Sequence, residues 1–142
     1  MAIKLVGYVP LEIKVLEIEH AEFGGKFWKA LIQRVGECNF EKLSLYENKI
    51  DDNEYEKLGV WLAEVIAANN SIEELRVWYT KLMVANNVKQ WGEVFMRNNT
   101  LTKFSWYGAT KYINIELRQL AKKHRKNLDM DAFVSGGNTL LG

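Results

Sequence analysis

Residues 40–48 read FEKLSLYEN, and their spacing decides the fold. The three apolar frame residues are Phe40, Leu43 and Leu45. Two residues of any type separate the first from the second, and one separates the second from the third. Such alternation over a short stretch is typical of a strand with one buried face. Because side chains alternate across a sheet, the residues between and after this frame are predicted to lie on the opposite face.

The same apolar spacing occurs in three other parts of the chain. They are Ile13-Leu16-Ile18, Ile72-Leu75-Val77 and Leu101-Phe104-Trp106. Recurrence at intervals of about 30 residues is the mark of a repeat protein. The pattern therefore predicts four strands, near residues 14–19, 41–46, 73–78 and 102–107.

Each predicted strand is followed by a segment with helical spacing that ends near asparagine, at Asn39, Asn69-Asn70, Asn98-Asn99 and Asn127. Asparagine tolerates the left-handed conformation that often ends a helix, so we expect that role here. Val35, Ile66 and Phe95 stand four residues before three of these ends. From each of them an apolar stripe runs back towards the start of its helix. Units of this kind bury their apolar faces by stacking on their neighbours. Helical crossovers join parallel strands, so the sequence predicts an α/β fold with a parallel sheet.

The stretch from Phe40 to Asn48 closely resembles the leucine-rich repeat pattern LxxLxLxxN. The long helix in each repeat is similar to the ribonuclease-inhibitor type, and the links NNSIEEL and NNTLTKF resemble the C-terminal domain of tropomodulins. The resemblance covers about residues 12–128. The other repeats depart from it at the asparagine position, which holds Ala21, Thr80 and Ala109. It implies a short horseshoe with the sheet on the concave face and the helices outside, and by analogy it makes actin a candidate partner.

The ends of the chain are interpreted as the ends of this array. Residues 1–128 are predicted to form a single leucine-rich repeat domain, with residues 1–11 as an N-terminal cap over the first repeat. Asp129 and Asp131 stand where a fifth strand would need apolar residues. Residues 129–142 are therefore predicted to be a C-terminal tail.

Composition excludes several classes of protein. The 142 residues are 48% apolar and 26% charged, with no apolar run of the roughly 18 residues that a membrane span needs. The single cysteine, Cys38, excludes an internal disulfide, and the N-terminus lacks the pattern of a signal peptide. Secreted leucine-rich repeat proteins usually carry disulfide-bearing caps, so we expect a cytoplasmic, reducing location and no membrane partner.

The residues that could carry chemistry are few and scattered. His20, His124 and Cys38 do not have the spacing of metal ligands, and tetrahedral zinc needs three or four. The acidic run of residues 51–54 resembles half a calcium loop, but its glycine and distal glutamate fall in the wrong places. No phosphate-binding or nucleophile motif occurs. We expect no enzyme activity, no cofactor, no metal and no small-molecule substrate.

The predicted concave face holds an unusual row of aromatic residues. At one level across the sheet lie Glu19, Tyr46, Trp78 and Tyr107, with Arg76 just below. The apolar frame already supplies the core, so nothing in the fold requires these rings. Aromatic residues beside an arginine are typical of an interface hot spot, although the rings could also simply stack as cross-strand pairs. We expect a non-enzymatic protein-binding module or structural subunit that uses this face.

A second candidate surface follows from the distribution of charge. Residues 1–71 carry 8 basic and 12 acidic residues, whereas residues 72–142 carry 11 and 6. Much of the basic excess is Lys122, Lys123, Arg125 and Lys126. This patch suits the negative end of a helix dipole, or else a nucleic acid or another acidic surface. Nucleic acid is the less expected partner, because the net charge is only +1.

Overall fold

Strands and helices alternate along the chain. The computed structural model describes residues 12–19, 22–46, 49–50, 55–78, 88–109 and 111–134. In chain order the elements are β1 (Val15–Glu19), β2 (Glu22–Phe23), α1 (Gly25–Glu37), β3 (Lys42–Tyr46), β4 (Lys49–Ile50), α2 (Tyr55–Ala68), β5 (Glu74–Trp78), α3 (Val88–Arg97), β6 (Lys103–Ala109), α4 (Lys111–His124) and β7 (Asp129–Val134).

The main sheet has five parallel strands in the order β1-β3-β5-β6-β7. β2 and β4 pair in parallel as a separate two-stranded sheet. The main strands share one register, in which Leu43 is opposite Leu16 on one side and Leu75 on the other. The α/β class, the parallel sheet and the four predicted strands are confirmed.

A repeated hydrogen-bond pattern starts the strands. The carbonyl of Lys14 accepts from the backbone N–H groups of Glu41 and Lys42, at 2.7 and 3.1 Å. The carbonyl of Glu41 serves the next strand in the same way, and the carbonyl of Glu73 serves the strand after that. The units that carry β1, β3, β5 and β6 are therefore equivalent in these backbone bonds as well as in apolar spacing.

The helices and one face of the sheet share a single hydrophobic core. The frames of β3, β5 and β6 are buried in it, whereas Ile13, Leu16 and Ile18 of the edge unit are partly buried. The helix stripes that contain Val35, Ile66 and Phe95 are buried as predicted. Rings join the layers, since the centroid of Phe104 in β6 lies 5.9 Å from that of Trp91 and 5.6 Å from that of Phe95 in α3.

The other face of the main sheet carries none of the described helices. Crossovers between neighbouring parallel strands share one hand, so successive helices fall on one side of the sheet. Consecutive helices contact each other in chain order, as such a layer requires. We call the opposite side the open sheet face. Among side chains that the structure describes, it comprises Val15, Glu17, Glu19, Lys42, Ser44, Tyr46, Glu74, Arg76, Trp78, Lys103, Ser105 and Asp129.

The asparagines near the helix ends do not share one role. Asn69 and Asn98 stand three residues before a strand frame, and each side-chain oxygen accepts two backbone N–H bonds of 2.7–2.9 Å. Asn98 also donates to the carbonyls of Ile66 and Asn69, at 2.8 and 3.0 Å. Asn39 and Asn127 are exposed. Side-chain hydrogen bonds therefore distinguish Asn69 and Asn98 from the exposed Asn39 and Asn127. The left-handed conformation expected at the four asparagines stays a prediction.

The expectation that the strands end before Asp129 is also wrong, because β7 pairs in parallel with β6. Met130 lies opposite Phe104 in the sheet. Met130 follows the buried Leu128 by two residues, whereas Phe104 follows the buried Leu101 by three. The last link is thus one residue shorter than the pattern required. A shift of one residue exchanges the two faces of a strand, so the aspartates take the open-face positions in register. The predicted cap (1–11) and residues 135–142 lie outside the described residues.

None of the helices in the described part of the chain is both long and apolar enough to cross a membrane.

Candidate binding site on the open sheet face

Charged residues fill four of the five positions in the row of the open sheet face nearest the start of the strands, and the position on β1 holds Val15. Lys42 lies at its centre, with its Nζ 3.3 Å from Glu17 Oε1 and 3.3 Å from Glu74 Oε2. Lys103 follows on the next strand, opposite Glu74, and is exposed. The carboxylate of Glu74 is thus already paired on the side towards β3.

Small residues flank the arginine of the next row. Ser44 and Ser105 stand on either side of Arg76 in register and are only 3% and 6% exposed. Serine leaves space above the sheet, so the long side chain of Arg76 can lie over its neighbours. This row is therefore shaped around one cation.

The aromatic row contains a pair of tilted rings in contact at its centre. The ring centroids of Tyr46 and Trp78 are 5.8 Å apart with planes tilted by 54°, and both side chains are half-buried. The Trp78 Nε1–H donates to Ser105 Oγ at 2.6 Å. The indole is thus fixed by its contact with Tyr46 and its hydrogen bond to Ser105, and part of it remains exposed on the open sheet face.

The guanidinium of Arg76 lies over the Trp78 indole. The guanidinium carbon lies 4.6 Å from the ring centroid, a distance at which a cation is attracted by the π-face. The Nε of Arg76 is buried and has no hydrogen-bond partner, and Arg76 forms no ion pair with any residue that the structure describes. The arginine is thus positioned by an aromatic surface while hydrogen-bonding capacity remains unused.

A pocket of about 130 Å³ opens beside this arginine. Its lining consists of Glu74, Arg76, Trp78, Lys103 and Ser105. The pocket can offer an N–H donor, a hydroxyl, an ammonium group and an aromatic wall to a ligand. We call it the Arg76 pocket.

The structure places the predicted hot-spot residues as follows. Tyr46, Arg76 and Trp78 are brought together, and Glu19 is exposed opposite Tyr46 at the sheet edge. The backbone of Tyr107 lies opposite Trp78, but its side chain lies outside those that the structure describes.

Two features of this face were not predicted from the sequence. Ser105 was predicted on the face but not as the acceptor of the Trp78 indole. Phe133 pairs with Tyr107 in register, so the row of aromatic positions continues onto β7. The alternation of Met130 and Ala132 could have revealed that strand.

The basic patch of the last helix is partly committed to the fold. The Arg125 guanidinium donates to the backbone carbonyls of Asn98 and Leu101 in the preceding unit. Lys122, Lys123 and Lys126 are exposed. Arg125 therefore joins two units, whereas the three lysines lie in solvent.

The other residues considered for chemistry are dispersed. Cys38 is buried, and burial raises the pKa of its thiol above the usual value. His124 is half-buried at the end of α4, and His20 lies outside the described residues. Within the described ranges, no three histidine, cysteine, aspartate or glutamate side chains are grouped to hold a metal ion.

Comparison of the chain with protein-family models, with curated proteins and with solved structures finds no match.

Proposed function

We propose that this chain is a leucine-rich-repeat-type solenoid that binds another protein through the open sheet face, without catalysing a reaction. The repeated apolar spacing, the shared strand register and the recurring backbone bonds of Lys14, Glu41 and Glu73 support the solenoid. In a short horseshoe of this type, the open sheet face would be the concave one. A cytoplasmic location belongs to the same proposal and is supported by the cysteine content of the chain, which is the single, buried Cys38.

The arrangement of Trp78 carries the proposal. Its indole packs against Tyr46, lies over Arg76 and donates to Ser105, yet part of it remains exposed. The core of this sheet lies on the opposite side, so the cluster is not needed to fill it. Tryptophan, tyrosine and arginine are the residues most enriched in the energetic centres of protein interfaces. A rigid aromatic side chain also loses little entropy when it is covered.

Protein fits this face better than nucleic acid does. Glu17 and Glu19 are exposed on β1, and Asp129 is exposed on β7. These carboxylates flank the aromatic cluster and would repel a phosphate backbone. The basic patch on the last helix is the less supported alternative, because Arg125 is engaged with backbone carbonyls.

The test compares what the immobilised wild-type chain and its Trp78→Ala variant retain from a lysate of the source cells. Met96→Ala is the matched control, since Met96 lies on α3 away from the open sheet face and is 54% exposed. A partner retained by the wild type and by Met96→Ala is expected to bind Trp78→Ala at least about thirtyfold more weakly, which corresponds to about 2 kcal/mol. Thermal unfolding of each variant verifies that it is folded. Equal retention by Trp78→Ala would show that the open sheet face is not the binding surface.

Salt dependence separates the two candidate surfaces. An interface centred on aromatic residues loses little affinity as salt rises, whereas a phosphate binder loses affinity linearly in the logarithm of salt concentration. We expect weak dependence between roughly 50 and 200 mM salt, the range over which phosphate binders change by orders of magnitude. Strong dependence, abolished by exchanging Lys122, Lys123 and Lys126 for glutamine, would favour the basic patch.

A further inference from the structure

We propose that the Arg76 pocket binds the carboxylate of an acidic side chain presented by the protein partner. This inference rests on the proposed function and names the chemical group that the open sheet face recognises. The pocket is defined above by Glu74, Arg76, Trp78, Lys103 and Ser105.

The donor at the centre of the pocket is Arg76. Its Nε is buried, whereas its terminal N–H groups make no hydrogen bond or ion pair with the described residues. These terminal groups are the donors that Arg76 can offer to a ligand in the pocket that it lines. The guanidinium carbon lies 4.6 Å from the Trp78 ring centroid, so the indole holds the charge of Arg76 beside the pocket. A planar fork of N–H donors matches a carboxylate, which can accept two parallel hydrogen bonds from it.

The net charge of the residues that line the Arg76 pocket favours a singly charged anion. The Arg76 pocket holds two cations, Arg76 and Lys103, and one carboxylate, Glu74, whose charge is shared with Lys42 at 3.3 Å. The lining therefore has a formal charge of +1, which one carboxylate neutralises. A phosphate dianion would exceed that charge, and Glu17 and Asp129 on the same face disfavour a polyanion.

The neighbouring groups suit a side chain better than a free ion. Trp78 forms an aromatic wall against which the methylene groups of a glutamate or the methylene of an aspartate can pack. Ser105 Oγ accepts the indole N–H of Trp78, so the hydroxyl hydrogen of Ser105 can be donated to a carboxylate oxygen.

The direct test is an NMR titration of the full ¹⁵N-labelled chain. The probe is N-acetyl-glutamate amide, and N-acetyl-glutamine amide is its neutral match. We expect the Arg76 Nε–H and Trp78 indole N–H resonances to shift saturably with the glutamate compound only. These shifts should be lost in Arg76→Gln, reduced in Arg76→Lys, which keeps the charge without the fork, and retained in Lys122→Gln on the exposed side of α4.

Two further probes distinguish other sources of the anion. N-acetyl-alanine presents a terminal carboxylate, and inorganic phosphate presents a dianion. Tighter binding of either one than of N-acetyl-glutamate amide would overturn the assignment to an acidic side chain. Equal shifts with the glutamate and glutamine compounds, or no saturable shift, would overturn the carboxylate pocket itself.

The retained partner separates this inference from the proposed function. We expect Arg76→Gln to weaken that partner at least tenfold, together with the loss of the glutamate-induced shifts. If Trp78→Ala weakens the partner and Arg76→Gln does not, the open sheet face binds protein but the carboxylate inference is wrong. If the glutamate compound binds but Trp78→Ala does not weaken binding of the partner, the proposed function is wrong. The pocket then binds a carboxylate, but the inference that this carboxylate belongs to the partner is also wrong.

Discussion

Asn98 and Ile66 are joined across 32 positions of the chain, since the Asn98 Nδ2 donates to the backbone carbonyl of Ile66 at 2.8 Å. Ile66 lies in the last turns of α2, and Asn98 directly follows α3. The same asparagine closes its own turn by accepting from the backbone N–H of Leu101 at 2.7 Å. The Asn98 side chain therefore bonds the end of α2 and the turn between α3 and β6, and so links two neighbouring units.

Asn98→Ala is expected to lower the free energy of unfolding by at least about 3 kcal/mol. The substitution leaves buried backbone donors and acceptors without partners, and each such group costs roughly 1–3 kcal/mol. Asn98 is 0% exposed, whereas its neighbour Asn99 is exposed. Asn99→Ala is therefore the control and should stay within about 0.5 kcal/mol of the wild type in urea unfolding. Similar losses in both variants would contradict the structural role of Asn98.

Arg125→Met is expected to destabilise the fold by roughly 2–3 kcal/mol, because Arg125 hydrogen-bonds two carbonyls of the preceding unit. Methionine keeps much of the apolar length of the side chain and removes the donors. Lys126→Met, at an exposed position one residue later, should change stability by less than about 0.5 kcal/mol. If urea unfolding gives the same midpoint for both variants, Arg125 does not fasten the last unit.

Leu75→Ala is expected to cost roughly 2–5 kcal/mol, the range found for buried leucines that leave a cavity. Leu75 is 0% exposed and lies between Leu43 and Phe104 in the strand register. In a domain of ordinary stability such a loss approaches unfolding. A fall in melting temperature of less than a few degrees would argue against this burial, and Met96→Ala provides the exposed comparison.

Cys38 is expected to make stability depend on pH in the alkaline range. Burial raises the pKa of the native thiol, so the folded chain favours the protonated form. Its stabilising contribution is present below the pKa of the unfolded thiol and is lost as pH rises through the folded value. The free energy of unfolding should therefore fall more steeply from pH 7 to pH 10 in the wild type than in Cys38→Ala. Equal slopes would contradict the raised pKa.

The same burial predicts the reactivity of the thiol. A thiol reagent should modify Cys38 slowly in the native chain at pH 8 and rapidly in urea, because only the exposed thiolate is a good nucleophile. Rapid modification of the native chain, at a rate close to that in urea, would contradict the buried position of Cys38.

The amino-acid sequence by itself determined the strand–helix alternation, the four predicted strands and the buried stripes. Leu43, Leu45, Leu75 and Val77 could be assigned to the interior because the side-chain period of a strand is a local property of the chain. The same alternation placed Tyr46, Arg76 and Trp78 together on the opposite face. These results need only the spacing of residues and the tendency of apolar side chains to leave water.

Tertiary structure alone decided the features that depend on distant atoms. A link shorter by one residue put Met130 opposite Phe104 and added β7, and such a register is set by pairing with the neighbouring strand. The hydrogen bonds of Arg125 and Asn98 end on carbonyls in another unit, at 24–32 positions along the chain. The bond from Trp78 to Ser105 likewise joins two strands across 27 positions. Side-chain periodicity reports which face a residue occupies, but a hydrogen bond requires a partner within about 3 Å, and only the folded chain brings these partners together.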